Sequence, residues 1–256
     1  MNFIADIGYS GIELLCDVPH GYPPAFGQES LVSTRKLLTD RRLEISNLNA
    51  FTMYAVGDVY NPSWIDPSSD KRAQRLKHTV DCIRLAEMLG ARNISTEPGG
   101  EFKEGMNRSA LEREFTKGIM EASRAAEKSH VEILIEPEPG LLIENSSQFL
   151  KIIRDMPSNV RLNFDIGHFF CVREDPAKLV SLLADYISHF HLEDIASSRV
   201  HAHLIPGHGA IDFGSIFRAM KEIGYRGFVT VELYPYQDSP SQAAAEAFAY
   251  INQVAS

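Results

Sequence analysis

Residues 132–137, Glu-Ile-Leu-Ile-Glu-Pro, and residues 160–167, Val-Arg-Leu-Asn-Phe-Asp-Ile-Gly, decide the fold of this chain. Each segment is a short apolar run with a carboxylate near its carboxyl end, which is typical of a buried strand. Between them, the residues that follow Ser146 have the apolar spacing of a helix. A strand, a helix and a second strand in this order predict two parallel strands joined by a crossover helix.

The same alternation extends over most of the chain. Strands are predicted at residues 11–15, 43–50, 93–98, 132–137, 160–167, 187–192 and 228–233. Helical spacing follows Ser68, Ser109, Ser146, Pro176, Ser215 and Ser241. This order predicts an α/β fold of the (β/α)8 TIM-barrel type, in a single domain that covers residues 1–256.

The sequence supplies one strand fewer than an eight-stranded barrel requires. The chain opens with helical spacing at Phe3, Ile4 and Ile7, and in a complete barrel that helix follows the first strand. We therefore expect a barrel without its first strand at the N-terminus, and a native product that extends upstream of Met1. An unfilled gap would leave two strand edges with unpaired backbone groups.

Composition and charge exclude several functional classes. The chain is 44% hydrophobic and carries a net charge of −9, with scattered basic residues, which argues against a nucleic-acid partner. Its cysteines, Cys16, Cys82 and Cys171, lack the short spacing of a disulfide framework or a zinc cluster. No segment has the apolar length of a membrane span, and the N-terminus lacks the features of a secretory leader. We expect a cytoplasmic protein with no membrane partner and leave a homo-oligomer open.

Four polar side chains occupy equivalent positions near the ends of predicted strands. They are Glu136, Asp165, His191 and Glu232. Successive side chains of a strand point to opposite faces, and the helices outside a barrel cover the apolar face. All four are therefore expected to point into the barrel, at the carboxyl-end rim where barrel active sites are built.

This set supplies mostly oxygen ligands together with one imidazole. That mixture suits Mn²⁺, Mg²⁺ or Co²⁺, with Zn²⁺ as a further candidate. Three carboxylates brought together without a cation would raise one another's pKa, and a divalent ion removes that cost. A single carboxylate at a strand end is usually a solvated loop residue, but four ligand-type residues at matching positions predict one divalent-metal site.

Several segments together resemble a known family. They are residues 8–14 (Gly-Tyr-Ser-Gly-Ile-Glu-Leu), 134–137 (Leu-Ile-Glu-Pro), 163–168 (Asn-Phe-Asp-Ile-Gly-His), 189–194 (His-Phe-His-Leu-Glu-Asp), 206–213 (Pro-Gly-His-Gly-Ala-Ile-Asp-Phe) and 227–232 (Gly-Phe-Val-Thr-Val-Glu). Over nearly the whole chain, their order and spacing resemble the xylose isomerase-like TIM barrel superfamily, and its sugar phosphate isomerase/epimerase branch fits best. The resemblance implies that Glu136, Asp165, His191 and Glu232 are metal ligands. It also implies that Glu136 and Glu232 form the catalytic acid/base pair.

Three histidines are expected to bind the substrate. His168, three residues after Asp165, matches a substrate-binding histidine of the family. His203 precedes the Pro-Gly-His-Gly turn, and in the related type IV AP endonucleases an Asp and a His at this spacing bind an additional zinc, with His201 here replacing the Asp. A second metal on His168, His201 and His203 is therefore an alternative to substrate contact by His203. His20, after the first predicted strand, is expected to line the pocket or to lie in a surface loop.

The expected substrate is a small sugar or keto-sugar, and the expected reaction is an isomerisation or epimerisation through an enediolate. Two features depart from the ketose 3-epimerases of this superfamily. Ser197 stands where they carry an Arg, and Glu136 is followed by Pro-Glu-Pro-Gly instead of an Asn-Arg segment. A lyase of the inosose or 3-dehydroshikimate dehydratase type is one alternative, and a non-catalytic small-molecule-binding barrel is another.

Overall fold

The computed structural model describes residues 1–255, and its strands lie side by side in the order in which they occur along the chain. The strands are β1 (Gly11–Leu15), β2 (Glu44–Asn49), β3 (Asn93–Thr96), β4 (Glu132–Ile135), β5 (Val160–Asp165), β6 (Ile187–Leu192) and β7 (Val229–Val231). Every pairing between neighbours is parallel. The prediction of an α/β fold of the TIM-barrel type is confirmed, with a sheet of seven strands.

Helices flank the strands on the outside of the barrel. They are α1 (Asn2–Ile7), α2 (Gln28–Arg41), α3 (Ser69–Leu89), α4 (Arg108–Ser129), α5 (Ser146–Ile153), α6 (Ile166–Cys171), α7 (Pro176–Leu182), α8 (Phe213–Glu222) and α9 (Pro240–Val254). Within residues 1–255, none of them combines the length and the apolar character that crossing a bilayer requires.

The predicted strand bounds are wrong by one or two residues at several ends, although the strands themselves are confirmed. The strand expected over residues 160–167 ends at Asp165, because this side chain caps α6 by accepting a hydrogen bond from the backbone N–H of His168 at 2.8 Å. The strand expected over residues 132–137 ends at Ile135, where the chain leaves the sheet. These two strands are therefore shorter than their apolar patterns, and the polar residues lie at the rim.

The alternation of side chains along the strands separates the core from the barrel interior. Phe164 on β5 and Phe190 on β6 are fully buried, and their ring centroids lie 5.1 Å apart. Asp165 and His191 follow these two residues and therefore point to the opposite face. Because the helices cover the apolar face of a parallel sheet, the polar residues are directed into the barrel.

The two edges of the sheet, β1 and β7, are joined by helices and side chains. No backbone ladder links β1 to β7 among residues 1–255, which agrees with the expectation of a barrel without its first strand. Outside this joint α1 packs on α9, and the hydroxyl of Tyr9 donates to the carbonyl of Ala244 at 3.0 Å. Beside β7, the ring of Phe228 packs so closely on Gly11 that a Cβ there would lie 2.8 Å from it.

Candidate active site

Four side chains meet at the carboxyl end of the barrel. They are Glu136, Asp165, His191 and Glu232, whose ligand-type atoms all lie within 4.8 Å of one another. The Nδ1 atom of His191 lies 2.9 Å from Oε1 of Glu136 and 3.7 Å from Oε2 of Glu232. Its distance to Oδ2 of Asp165 is 3.9 Å. The structure thus brings together the four residues that the sequence singles out, named here the carboxylate–histidine cluster.

The strands determine where each member of the cluster points. Glu136 follows β4 and Glu232 follows β7, and their backbone N–H groups still donate to carbonyl groups of β3 and β6, at 3.3 and 2.9 Å. Asp165 is the last residue of β5, and His191 lies within β6. The hydrogen-bonding pattern of the sheet therefore extends to all four residues. Because side chains alternate between the two faces of a strand, all four point into the barrel.

The donor set of the cluster fits a divalent cation. Asp165 caps α6 with one oxygen, and its other oxygen, Oδ2, is buried without a hydrogen-bond partner. Burial and the negative charges of Glu136 and Asp165 raise the pKa of Glu232 to about 8, against the opposing charge of His191. A divalent ion would give the orphaned oxygen a partner and offset the repulsion among the carboxylates.

Sequence reasoning misses Glu13, which lies on β1 next to the cluster. Its two carboxylate oxygens lie 3.0 and 2.9 Å from Nε2 of His191, and one of them lies 3.3 Å from Nε2 of His189. Although burial acts in the opposite direction, these two histidines hold the pKa of Glu13 well below its usual range. A signal was present in the sequence, because Glu13 alternates with the apolar Ile12 and Leu14 in a predicted strand.

Two further polar side chains lie behind the cluster. The amide of Asn163 donates to Oε2 of Glu136 at 2.8 Å. Glu193 is fully buried, and burial together with the neighbouring Asp165 raises the pKa of its carboxyl group well above the usual range. Gly167 leaves the space for it, since a Cβ at Gly167 would lie 1.6 Å from Oε1 of Glu193. Glu193 is therefore a buried carboxyl group, with its protonated form favoured, that is packed against a cluster member.

Three histidines form a group beside the cluster. They are His168, His201 and His203, whose ring nitrogens approach within 4.8 Å of one another. The Nε2 atoms of His201 and His203 are 3.0 Å apart, so one of them donates and the other accepts. Nδ1 of His203 is buried without a hydrogen-bond partner and lies 3.8 Å from Oε2 of Glu232.

The members of this histidine group differ in the direction in which their pKa values are shifted. Burial lowers the pKa of His203 to about 3, and burial together with the charge of His168 lowers the pKa of His201 to about 4. Burial acts in the same direction on His168, but Asp165 and Glu138 outweigh it and raise its pKa. His168 is therefore the member whose protonated form is favoured, and the two imidazoles beside it with lowered pKa values suit hydrogen bonds to hydroxyl groups.

His168 and His203 thus lie next to the cluster, and their contact with a substrate stays a prediction. His20 has different neighbours. Its Nδ1 pairs with Oδ1 of Asp17 at 2.6 Å, and its side chain is 48% exposed. Asp17 also accepts a hydrogen bond from the hydroxyl of Thr52 at 2.8 Å. These contacts tie His20 to the loop after β1 and not to the cluster, so its expected substrate role also stays a prediction.

The loop between β2 and α3 reaches the rim of the barrel. Tyr60 in this loop donates its hydroxyl to Oε1 of Glu138 at 2.6 Å. Trp64 is buried, and its indole N–H donates to the hydroxyl of Thr96 at 2.9 Å. Its backbone N–H donates to Oε1 of Glu97 at 2.8 Å. The loop is therefore anchored at the end of β3 and touches the residues that follow β4.

The architecture and the position of the cluster define a TIM barrel whose candidate site lies at the carboxyl ends of its strands. The chain belongs to the xylose isomerase-like TIM barrel family, whose model matches residues 1–254. The resemblance that the sequence motifs carry is thereby confirmed.

Relatives of known name are distant in sequence. The chain is 23% identical to inosose dehydratase of Erwinia tasmaniensis over 250 residues, which cover 86% of this chain and 80% of that protein. It is 25% identical to inosose dehydratase of Clostridium tetani over 162 residues, 56% of this chain and 54% of the relative. An uncharacterized protein of Methanocaldococcus jannaschii is 28% identical over 246 residues, 91% of this chain and 77% of that protein.

Solved structures with the same fold include a zinc-bound IolI protein, with a TM-score of 0.80 and 19% identity, covering 99% of this chain and 90% of the other. A D-tagatose 3-epimerase-like protein has a TM-score of 0.79 and 23% identity, with coverage of 100% and 94%. The 3-keto-D-glucoside 4-epimerase of E. coli has a TM-score of 0.80 and 16% identity, with coverage of 98% and 94%. At these identities the likeness shows the fold alone.

Proposed function

We propose that this protein is a divalent-metal-dependent enzyme that takes a proton from the carbon beside the carbonyl group of a small polyhydroxylated ketone and then expels water. The observation that carries the proposal is the convergence of Glu136, Asp165, His191 and Glu232 within 4.8 Å. Several relatives of the chain bear the name inosose dehydratase, which supports this substrate class and this reaction.

The carboxylate–histidine cluster would hold the metal. Its oxygen-rich donor set suits Mn²⁺, Mg²⁺, Co²⁺ or Zn²⁺, and the zinc in the IolI neighbour supports the last of these. When bound, such a cation polarises a carbonyl oxygen and stabilises the negative charge that develops as the neighbouring carbon loses its proton.

Glu232 is the proposed base. It is the most accessible carboxylate of the cluster, because its side chain is 27% exposed, against 3% for Glu136 and 0% for Asp165. Oε2 of Glu232 would take the proton from the carbon beside the carbonyl, and the electron pair of that C–H bond would form the new carbon–carbon double bond.

The histidine group would complete the dehydration. The hydroxyl on the next carbon leaves with its bonding electrons, and it needs a proton to depart as water. His168, whose pKa Asp165 and Glu138 raise, is the proposed donor of that proton, and the unpartnered Nδ1 of His203 is proposed to bind a substrate hydroxyl. Both nitrogens lie close to the cluster: His168 Nε2 is 3.7 Å from Oδ2 of Asp165, and His203 Nδ1 is 3.8 Å from Oε2 of Glu232.

Isomerisation or epimerisation is the second candidate, and the presence of two carboxylates, Glu136 and Glu232, on one cluster favours it. One of them would remove the proton and the other would return it on the opposite face. The epimerase names of two structural neighbours agree with this chemistry. Ser197 and the Pro-Glu-Pro-Gly segment after Glu136 depart from ketose 3-epimerases, and for that reason dehydration is preferred.

The proposed partner is a small, neutral, sugar-like substrate. The net charge of −9 is consistent with such a substrate and argues against a nucleic-acid partner. We propose a single domain that acts in the cytoplasm, with the homo-oligomeric state left open.

The decisive experiment follows the mass of the product in deuterated water. Protein loaded with Mn²⁺ or Zn²⁺ is incubated with an inosose and, separately, with a ketohexose. Dehydration gives a product lighter by one water, whereas epimerisation gives an isomer whose mass changes only by the deuterium taken up. His191→Ala should lose metal and turnover together. A metal-loaded protein that consumes none of these ketones would contradict the proposal.

A further inference from the structure

The two ring nitrogens of His191 have different surroundings. Nδ1 faces the other members of the carboxylate–histidine cluster, with Oε1 of Glu136 at 2.9 Å and Oε2 of Glu232 at 3.7 Å. Nε2 points away from them, and both oxygens of Glu13 lie within 3.0 Å of it. Because His191 is fully buried, water cannot take the place of either partner.

Glu13 is itself held in place from a second strand. Its Oε1 accepts a hydrogen bond from the amide of Asn49 on β2 at 2.9 Å. Its Oε2 lies 3.3 Å from Nε2 of His189, the residue of β6 that points in the same direction as His191. The carboxylate is thus positioned from both sides before it meets the imidazole, and its side chain is only 10% exposed.

A histidine can bind a metal through Nδ1 only when that nitrogen carries a lone pair and the ring is turned toward the ion. Metal-binding histidines commonly donate their other N–H to a carboxylate, which fixes both the tautomer and the orientation of the ring. The pair formed by Glu13 and His191 has this geometry, with the carboxylate on Nε2 and the cluster on Nδ1.

We infer that Glu13 is a positioning residue for the metal site, and this inference rests on the proposed function. It accepts the Nε2–H of His191, which leaves Nδ1 as the nitrogen that a metal ion can bind, and it holds the ring with Nδ1 directed at the other members of the cluster. Glu13 acts through His191 and touches neither the metal nor the substrate. A purely structural role, in which Glu13 only ties β1 to β6, predicts a loss of stability without a change in metal affinity.

The test measures binding of Zn²⁺ and Co²⁺ by titration calorimetry, in the wild type, Glu13→Ala and Glu13→Gln. Removing such a partner typically weakens metal binding by about 10–100-fold, and we expect this range for Glu13→Ala. Glu13→Gln keeps the shape and an acceptor oxygen but loses the charge, so its affinity should lie between those of the other two proteins. It also serves if the alanine variant fails to fold. Glu97→Gln is the matched control, since Glu97 is also a buried carboxylate, at the end of β3, and its partners are Trp64 and Arg75. The metal affinity of this variant should equal that of the wild type.

A spectroscopic measurement separates positioning from stability. In the Zn²⁺-loaded wild type, the Nε2–H proton of His191 should give a strongly downfield NMR signal, coupled to the ring nitrogen, and Glu13→Ala should lose it. Folded Glu13→Ala with wild-type metal affinity, or a Zn²⁺-loaded wild type in which His191 carries its proton on Nδ1, overturns the inference and leaves the proposed function standing. A wild type that binds neither ion overturns both.

Discussion

Replacing Gly167 by alanine is expected to destabilise the protein, although the residue lies in a helix. Gly167 is the second residue of α6, where alanine ordinarily stabilises a helix by about 0.5–1 kcal/mol relative to glycine. The surroundings reverse the sign of this effect. The added Cβ would lie 1.6 Å from Oε1 of Glu193, 2.7 Å from its Cδ and 3.0 Å from Cγ1 of Ile195.

The Glu193 carboxyl group has little room to move aside. It is fully buried and faces Asp165, and Ile195 beside it is fully buried as well. Forcing an extra methyl group into a packed interior costs about 1–3 kcal/mol, and the gain in helix propensity offsets part of that cost. We therefore expect a net loss of about 1–2 kcal/mol in the free energy of unfolding. Metal binding should weaken too, because Glu193 would be pushed toward Asp165.

Gly214→Ala provides the matched control. Gly214 is the second residue of α8, and the nearest atom to an added Cβ there lies at 3.5 Å, an ordinary contact. Urea unfolding of the metal-free proteins, with metal affinity measured on the same preparations, compares the two variants. Gly214→Ala should be as stable as the wild type or more stable. If Gly167→Ala matches the wild type in both stability and metal affinity, the reasoning about the packing of Glu193 is refuted.

Substitutions at the cluster and under the rim loop, and a change of pH, have further expected outcomes. Glu232→Gln keeps the shape but removes the base, so turnover should fall by about a hundredfold or more; full activity at full metal content, measured on the same sample, would exclude the role. The pKa of Glu232 in the folded, metal-free protein is about 8, above its unfolded value, so its stabilising contribution is present at low pH and is lost as the pH rises through 8. The pKa of His191 is raised as well, so its contribution to stability is also lost as the pH rises above the unfolded pKa of the imidazole. The metal-free protein should therefore melt at a lower temperature at about pH 8.5 than at about pH 6.5, and saturating Zn²⁺ should reduce the difference; a melting temperature that rises with pH would contradict this. Gly118→Ala places a Cβ 2.6 Å from the rigid indole of Trp64, so urea unfolding should show a loss of about 1–3 kcal/mol, and an unchanged stability would contradict the packing argument.

Local sequence pattern was sufficient to predict most of the fold and the core of the site. The alternation of polar and apolar residues around Asp165 and His191 predicts that these segments are strands and also which face each side chain occupies. A shift of one residue in strand pairing would exchange the inner and outer side chains. Parallel strands in turn bring their carboxyl ends to one rim, so residues far apart in the chain become neighbours. The convergence of Glu136 with Glu232 required no information beyond these two rules.

The remaining contacts of the site follow from packing that periodicity does not contain. Glu13 has the same inward parity as the cluster, but its relevance comes from the approach of β1 to β6 beside the joint between β1 and β7, where residues 1–255 form no backbone ladder. Glu193 lies beyond the end of β6, where strand alternation no longer applies, and its place behind Asp165 depends on the absence of a side chain at Gly167. His201 belongs to a loop, and its 3.0 Å approach to His203 follows from the path of that loop.

The contact between Glu13 and His191 also links the site to the closure of the barrel. Glu13 lies on β1, one edge of the sheet, and His191 lies on β6, next to the other edge strand, β7. The hydroxyl groups of Ser46 and Thr230, 3.0 Å apart, make a second polar contact from β2 to β7. Each of these contacts ties one edge strand to the neighbour of the other edge strand, and among residues 1–255 no backbone ladder joins β1 to β7 directly. A metal ion that holds Nδ1 of His191 would therefore hold one end of the first of these contacts, because Glu13 grips the other nitrogen of the same ring. The affinity of the site and the stability of the joint between β1 and β7 should then change together in Glu13→Ala, whereas a substitution that weakens the joint from outside the barrel, at Tyr9, should leave the ligand geometry of His191 intact.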